Sequence, residues 1–272
     1  MPQAIRLNYG DNQYLLSERM QAFPSLGKLL NRTMGYTNIG NYARAQVFSR
    51  HINKIDLSKV TQVLDLGCGY GENAIMMSKA LTGKDVFALD IDQRALSRIR
   101  LAKNKLNLGN LTVHEGKIDT LTVNDLDLIY SVDVFEHIPE KEMPFAEAFK
   151  KLKTGGHLLV KIPNKVQRTF FSPKHFEEHN KWVDHEHPGQ VYFLKDLEER
   201  FRKEGFKVVY ACQSDGMLAR MAWEIAYFMK KGGAITQLLA LPFCKLLVKT
   251  DLLTHPNGSI NGNAITVIGQ KV

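Results

Sequence analysis

The chain has 272 residues, of which 44% are hydrophobic and 24% are charged. This is the composition of a globular protein, and it excludes a disordered chain. Lys and Arg outnumber Asp and Glu by 36 to 28, and the net charge of +8 is compatible with nucleic acid, an anionic membrane surface or an anionic substrate without selecting among them.

Cysteine usage and the longest apolar segments bear on the cellular compartment. The three cysteines, Cys68, Cys212 and Cys244, are too widely spaced for a disulfide framework or a CxxC zinc motif. The first residues, MPQAIRLNYGDNQ, lack the apolar core of a signal peptide, and no apolar run predicts a spanning helix. We therefore expect a cytoplasmic protein, with the inner face of a membrane as the alternative location.

Helical and strand-like segments alternate along most of the chain. Residues 1–58 predict an N-terminal helical cap with a helix at 41–52, and further helices are predicted at 73–81, 93–107, 141–152 and 194–204. The predicted strands are 62–66, 86–90, 111–114, 126–131, 157–162, 207–212 and 264–269. Continuous apolar strands alternating with helices predict a mostly parallel, seven-stranded sheet with helices on both faces.

These elements divide the chain into a core and its additions. The core is expected at 59–216 with a lid insertion at 168–190, followed by an apolar helical insertion at 217–253 and the final strand of the core at 254–272.

The segment at 217–253 is apolar on almost every side. Arg220, Glu224 and Lys231 form a thin polar stripe in its first half, and Pro242 interrupts its second half. Two interpretations stay open. The helices pack on the domain as a lid or dimer surface, or they make a peripheral contact with a membrane or lipid through 217–249. The lysines that accompany the apolar residues suit anionic lipid, and they are Lys230, Lys231, Lys245 and Lys249.

Three glycines follow the first predicted strand, in the sequence VLDLGCGYGENA at 63–74. Ligands of parallel sheets bind at the carboxyl ends of the strands. Glycine permits positive φ there and lets a ligand lie against bare backbone, while the next helix offers free N–H groups. Gly67, Gly69 and Gly71 therefore predict the floor of a ligand site. The second strand ends in Asp90, whose carboxylate can accept both hydroxyls of a ribose.

The combination Asp65-x-Gly67-x-Gly69-x-Gly71 with Asp90 resembles the class I S-adenosylmethionine-dependent methyltransferases, and the resemblance covers about residues 44–207. A dinucleotide-binding GxGxxG motif fits less well, because Glu72 occupies the position of its third glycine. The resemblance implies a Rossmann-like α/β fold and S-adenosylmethionine as the cofactor.

The resemblance also implies a set of donor-binding residues. The glycine loop would contact the methionine part and the ribose, and Ile91 would lie against the adenine. The segment after the third strand departs from the family pattern, since Lys117 occupies the place of the usual acid. Asp119 and the backbone of Ile118 are the candidate substitutes, whereas Asp92 is expected to cap a helix. The full predicted donor set is Asp65, Gly67, Cys68, Gly69, Gly71, Asp90, Ile91, Ile118, Asp119 and Ser131.

The fourth strand ends in SVDVFEHIP at 131–139, which resembles the small-molecule methyltransferases, including the ubiquinone-biosynthesis group. It lacks the Pro-Pro-aromatic motif of enzymes that methylate nucleobase amines. If the acceptor is a hydroxyl, a base must remove its proton, and histidine suits neutral pH. His137 is the first candidate, followed by His185 and His187 in the lid. The spacing of the histidines in the lid also admits a metal ion, but we predict no metal site.

The sequence thus favours in-line O- or C-methylation of a small molecule, with a lipidic or membrane-associated acceptor as one expectation and no nucleic-acid partner favoured. One alternative is an RNA or protein methyltransferase, which the net charge of +8 suggests. The other is a protein that binds S-adenosylmethionine without catalysis.

Overall fold

The computed structural model describes residues 5, 7, 23–178, 181, 185 and 192–272, except for the side chains of residues 28 and 31. Seven strands form one sheet in the order β3-β2-β1-β4-β5-β7-β6. They are β1 (Gln62–Leu66), β2 (Asp85–Asp90), β3 (Leu111–Glu115), β4 (Leu126–Val132), β5 (Leu152–Pro163), β6 (Phe206–Ser214) and β7 (Ala264–Lys271).

The helices cover both faces of this sheet, and a hydrophobic cluster lies on each face. They are α1 (Pro24–Met34), α2 (Ile39–Ile52), α3 (Glu72–Ala80), α4 (Gln93–Leu106), α5 (Phe145–Lys151), α6 (Leu194–Lys203), α7 (Met217–Lys231) and α8 (Ala234–Thr254). On one face α2, α3 and α4 pack against the strands, and on the other face α5 and α6 do. This arrangement confirms the predicted α/β fold with a seven-stranded sheet.

All seven predicted strands are present, although β5 begins at Leu152, before its predicted start at residue 157. One helical assignment needs correction. The helix predicted at 141–152 is only Phe145–Lys151, because Pro144 sets its start, and β5 begins directly after it. Pro242 interrupts the apolar run but not the helix, since α8 runs continuously from Ala234 to Thr254. Pro242 is exposed, and one lost backbone hydrogen bond on the outer side of a helix can be tolerated.

The last strand has a direction that the sequence pattern does not show. β7 lies between β5 and β6 and runs antiparallel to both, whereas the other six strands are parallel. The carboxyl ends of those six strands therefore meet at one edge of the sheet, where ligands of open α/β sheets bind.

The predicted apolar insertion forms the antiparallel pair α7 and α8, which connects β6 to β7 and packs against α2. Among the described residues, no helix is long and apolar enough to cross a membrane. The limits of the N-terminal cap, the core, the apolar insertion and the final segment stay predictions.

Asp251 connects the two helices of this pair. Its side chain is buried on α8, and its two carboxylate oxygens accept hydrogen bonds from the backbone N–H groups of Gly216 and Leu218 at 3.0 and 3.1 Å. These N–H groups belong to the start of α7, where four backbone donors lack partners within the helix. A carboxylate there also complements the positive end of the helix dipole.

Replacing Asp251 by Ala should lower the free energy of unfolding by about 1 to 3 kcal/mol, because the N–H groups of Gly216 and Leu218 would lose their acceptor. Urea unfolding followed by circular dichroism measures this loss. Asp85→Ala, at an exposed aspartate of the same chain, serves as the control and should have little effect. Equal stability of the two variants would contradict the capping role of Asp251.

Candidate active site

The glycine loop after β1 has the conformation that its sequence predicts. Gly67, Gly69 and Gly71 all have positive φ, at 75°, 50° and 80°. A Cβ atom at Gly67 would lie 2.4 Å from the Val134 side chain, and one at Gly71 would lie 2.6 Å from Ile99, so both glycines permit close packing. At Gly69 no atom lies within 4 Å of the Cβ position, and the loop is therefore open to a ligand there.

Asp90, at the end of β2, is held against this loop. Its Oδ2 accepts a hydrogen bond from the Gly69 N–H at 2.7 Å, and its Oδ1 accepts one from the Asp92 N–H at 2.9 Å. Each carboxylate oxygen keeps acceptor capacity beyond these bonds, and the side chain is only half-buried. Asp92 caps α4 through the N–H groups of Arg94 and Ala95, which confirms its expected role.

Asp65 lies beneath the loop and is almost fully buried. Burial raises its pKa to about 8, and the nearby charge of Asp90 adds to this effect. Within the described residues its Oδ2 has no hydrogen-bond partner. A buried carboxyl oxygen without a partner is costly, and an amino group of a ligand would satisfy it.

The residues predicted to face the adenine differ in exposure. Ile91 follows Asp90 and is 72% exposed, which leaves a large apolar side chain available to a ligand. Asp119 is exposed, whereas the Ile118 side chain is buried, so only the backbone of Ile118 could serve a ring nitrogen. Lys117, at the position where the family has an acid, forms an ion pair with Glu142 at 2.5 Å.

Two further members of the predicted donor set have buried side chains. The Ser131 hydroxyl donates to the Leu66 carbonyl at 2.9 Å and so links β4 to β1. Burial raises the pKa of the Cys68 thiol, which lies in the glycine loop. That these two residues touch a ligand stays a prediction.

A group of charged residues, some of them buried, adjoins the loop where β4 and β5 end. Asp133 has φ of 54°, uncommon for a residue other than glycine, and accepts hydrogen bonds from Arg44 Nε at 2.5 Å and Lys161 Nζ at 2.8 Å. Burial acts to raise the pKa of Asp133, but the charges of Lys161 and Arg44 outweigh it and lower the pKa to about 2. Asp215, after β6, lies 3.9 Å from Lys161 Nζ.

Glu136 belongs to this group and was not in the predicted catalytic set. It is 1% exposed, and among the described residues its Oε2 has no hydrogen-bond partner. Burial, followed by the negative charge of Asp133, raises the pKa of Glu136 to about 8. The sequence signal was the Glu-His pair itself, but a pattern of residue types does not show which of two neighbours is buried.

The three histidines predicted as bases have different surroundings. His137 ends a short 3₁₀ turn after β4 and is exposed. His185 is exposed, and His187 lies outside the described residues. The part of the chain that the structure describes contains no cluster of three or more residues that could hold a metal ion.

A family model described as a methyltransferase domain matches residues 57–205, more than half of the chain. The chain belongs to this methyltransferase family. Its fold is that of the class I S-adenosylmethionine-dependent members, as the resemblance implied, and S-adenosylmethionine is the cofactor of the family.

Curated relatives of this methyltransferase act on different small molecules. Phosphoethanolamine N-methyltransferase 1 of Triticum aestivum is 32% identical over 130 residues, which are 46% of this chain and 25% of that protein. Trans-aconitate 2-methyltransferase of Deinococcus radiodurans is 30% identical over 102 residues, 38% of each chain. The chain thus spans between a quarter and two fifths of the length of these relatives.

Solved structures share the fold of this methyltransferase. A putative sarcosine dimethylglycine methyltransferase from Galdieria sulphuraria has a TM-score of 0.55 at 17% identity, covering 85% of this chain and 84% of its own. Phosphoethanolamine N-methyltransferase 2 of Haemonchus contortus, in complex with S-adenosyl-L-methionine, has a TM-score of 0.56 at 18% identity, covering 89% of this chain and 59% of its own.

The residues of this methyltransferase fit the cofactor in three respects. The loop is open at Gly69, the half-buried carboxylate of Asp90 lies beside it, and Asp65 has a buried oxygen that an amino group would satisfy. Exposed Ile91 adds an apolar surface for a flat base. The roles of these single residues stay predictions until affinity is measured.

Asp90→Ala should weaken S-adenosylmethionine binding tenfold or more, because a charged acceptor for two ribose hydroxyls contributes about 1.5 to 3 kcal/mol. Isothermal titration calorimetry measures the affinity. Asp92→Ala is the matched control, since it removes a helix cap two residues away and should lower stability by about 1 kcal/mol without a comparable loss of affinity. Unchanged affinity in Asp90→Ala would exclude the ribose contact.

Proposed function

We propose that this chain transfers the methyl group of S-adenosylmethionine to a small-molecule acceptor bound where β4 and β5 end. The observation that carries the proposal is the charged group Arg44, Asp133, Glu136 and Lys161, of which Glu136 and Lys161 are buried, and which adjoins the donor loop through the contact of Gly67 with Val134. Buried ionisable groups with shifted pKa values are typical of reaction sites.

The cofactor supplies an electrophilic methyl group on a sulfonium, so the protein's contribution is alignment and exclusion of water. Arg44 belongs to α2 and donates a hydrogen bond to Asp133, and the charges of Asp133 and Glu72 each raise its pKa. Because Glu72 begins the helix behind the glycine loop, the charge of Arg44 acts on both the donor side and the acceptor side.

For an acceptor that must lose a proton, we propose Glu136 as the base. Its carboxyl group is buried beside the donor loop, and its raised pKa makes the carboxylate a stronger proton acceptor than an ordinary glutamate. Asp133 is a poor base, because its two cationic partners hold its pKa at about 2. His137 is the alternative base, because histidine suits proton transfer near neutral pH and because this residue follows β4 next to Glu136.

A second step concerns the class of the acceptor, which we propose to be lipidic. The apolar pair α7 and α8 is attached to the reaction edge at two points. Asp215, immediately before α7, lies near Lys161, and the Glu224 carboxylate on α7 accepts hydrogen bonds from the Phe170 and Phe171 N–H groups at 2.7 Å. An apolar surface joined to the acceptor side in this way suits an acceptor with a hydrocarbon part.

Methyl-labelled S-adenosylmethionine, incubated with the protein and an extract of the source cells, tests the acceptor class. We expect label in the lipid fraction and its loss with Asp90→Ala. Label among water-soluble metabolites would retain the small-molecule proposal and contradict the lipidic one. Label in RNA or protein would replace the proposed class, and donor binding without transfer would favour a non-catalytic protein.

Glu136→Gln should lower kcat by about a hundredfold or more and abolish a rise in rate toward pH 8, because the wild-type carboxyl is ionised only above its pKa of about 8. His137→Gln is the matched variant and should keep both the pH profile and most of the rate. The opposite pattern would assign the proton transfer to His137.

The stability of Glu136→Gln provides a readout that needs no acceptor. A carboxyl whose pKa is raised in the folded state stabilises the protein at low pH, and this contribution is lost as pH rises toward about 8. The variant should therefore gain stability relative to wild type between pH 5 and pH 8. A constant difference across this range would contradict the buried, protonated state of Glu136.

A further inference from the structure

The outer side of α8 carries a continuous apolar stripe. Ile235, Leu239 and Leu253 are 75%, 76% and 77% exposed, and Phe243 and Leu246 are also more than half exposed. Their spacing of 4, 4, 3 and 7 residues places all five on one face of the helix. The opposite face packs inward through Leu241, Cys244, Val248 and Asp251.

Helix α1 also carries exposed apolar side chains, and its end lies beside α8. Phe23, Leu26 and Leu29 are exposed apolar side chains in or next to α1. The end of α1 is joined to α8, because Lys245 Nζ donates a hydrogen bond to the Met34 carbonyl. We call the exposed apolar residues of α1 and α8 together the outer face. Five exposed apolar side chains on one face of α8, with three more in or next to α1, exceed the scattered single residues that are normal for soluble domains.

The charges around the outer face have one sign. Between residues 217 and 254 the basic residues are Arg220, Lys230, Lys231, Lys245 and Lys249. The two acids in the same range, Glu224 and Asp251, are both buried, and both accept hydrogen bonds from backbone N–H groups inside the protein. Residues 24–34 contain no acid and two basic residues, Lys28 and Arg32. Among the side chains that the structure describes, the exposed charges of α1, α7 and α8 are all positive.

We infer that the outer face docks on the surface of an anionic lipid bilayer. An apolar helix face flanked by lysines is the chemistry by which helices lie in the interface of a membrane, with the apolar side chains among the acyl chains and the ammonium groups at the headgroups. A two-fold contact with a second copy is disfavoured, since it would place the same positive charges opposite each other. This inference goes beyond the proposed reaction and does not depend on it.

Docking through the outer face has a consequence for the reaction edge. α8 is fixed to the start of α7 by Asp251, and α7 is fixed to the segment after β5 by Glu224. The acceptor side of the sheet is thus connected through α7 to the helix that carries the outer face.

Vesicle flotation with the full chain, in the absence of cofactor and acceptor, tests the inference. We expect binding to phosphatidylcholine vesicles that contain phosphatidylglycerol and weaker binding to phosphatidylcholine alone. The double variant Leu239→Ser/Phe243→Ser should bind the anionic vesicles about tenfold more weakly. The matched control, Leu101→Ser/Val209→Ser, changes two exposed apolar residues outside the outer face and should bind as wild type does.

A second variant tests the charges. Lys230→Glu/Lys249→Glu should abolish the preference for anionic vesicles, because both lysines are exposed beside the outer face. Circular dichroism and S-adenosylmethionine affinity confirm that each variant is folded. Failure of the wild type to float with anionic vesicles would overturn the inference. So would a wild-type dimer that Leu239→Ser/Phe243→Ser converts to a monomer, which would assign the outer face to a second copy. Neither result affects the methyl-transfer proposal.

Discussion

Six of the seven strands run in the same direction, and this constraint places the glycine loop, Asp90, Asp133 and Lys161 at one edge of the sheet. Their carboxyl ends meet at one edge, where the backbone groups of the loops are not hydrogen-bonded within the sheet. The loop after β1 turns sharply there and needs glycine, since Gly67 and Gly71 pack against side chains while Gly69 stays open. Asp90 and Asp133 lie at the same edge, because each is found where its own strand ends.

The two sides of this edge differ in their electrostatics. On the donor side, Asp65 is buried and forms no ion pair with any residue that the structure describes, and burial raises its pKa. On the acceptor side, Lys161 and Arg44 neutralise Asp133, whereas Glu136 has a raised pKa because it is buried beside a fixed negative charge. Two carboxyl groups three residues apart thus receive opposite pKa shifts from their surroundings, which is how one site can hold both an ionised anchor and a proton acceptor.

The helical pair α7 and α8 gives the protein a second surface, whose chemical character differs from that of the reaction edge. Its two acids serve inside the protein, one as a cap for α7 and one as an acceptor for the segment after β5. Using both acids internally leaves an exposed surface that is apolar and cationic. The burial of Glu224 and Asp251 inside the protein is therefore the reason why α7 and α8 expose no negative charge beside the outer face.

Local patterns determined much of this protein. Apolar runs located all seven strands, and the glycine spacing with Asp90 located the donor loop, because strand burial and positive φ are properties of a few consecutive residues. The sequence also marked the Glu-His pair after β4. Only the tertiary structure decided that Glu136 is buried while His137 is exposed, that β7 is antiparallel, and that Arg44 and Lys161 meet at Asp133. These outcomes depend on residues up to about a hundred positions apart, whose proximity arises from the packing of the sheet and α2.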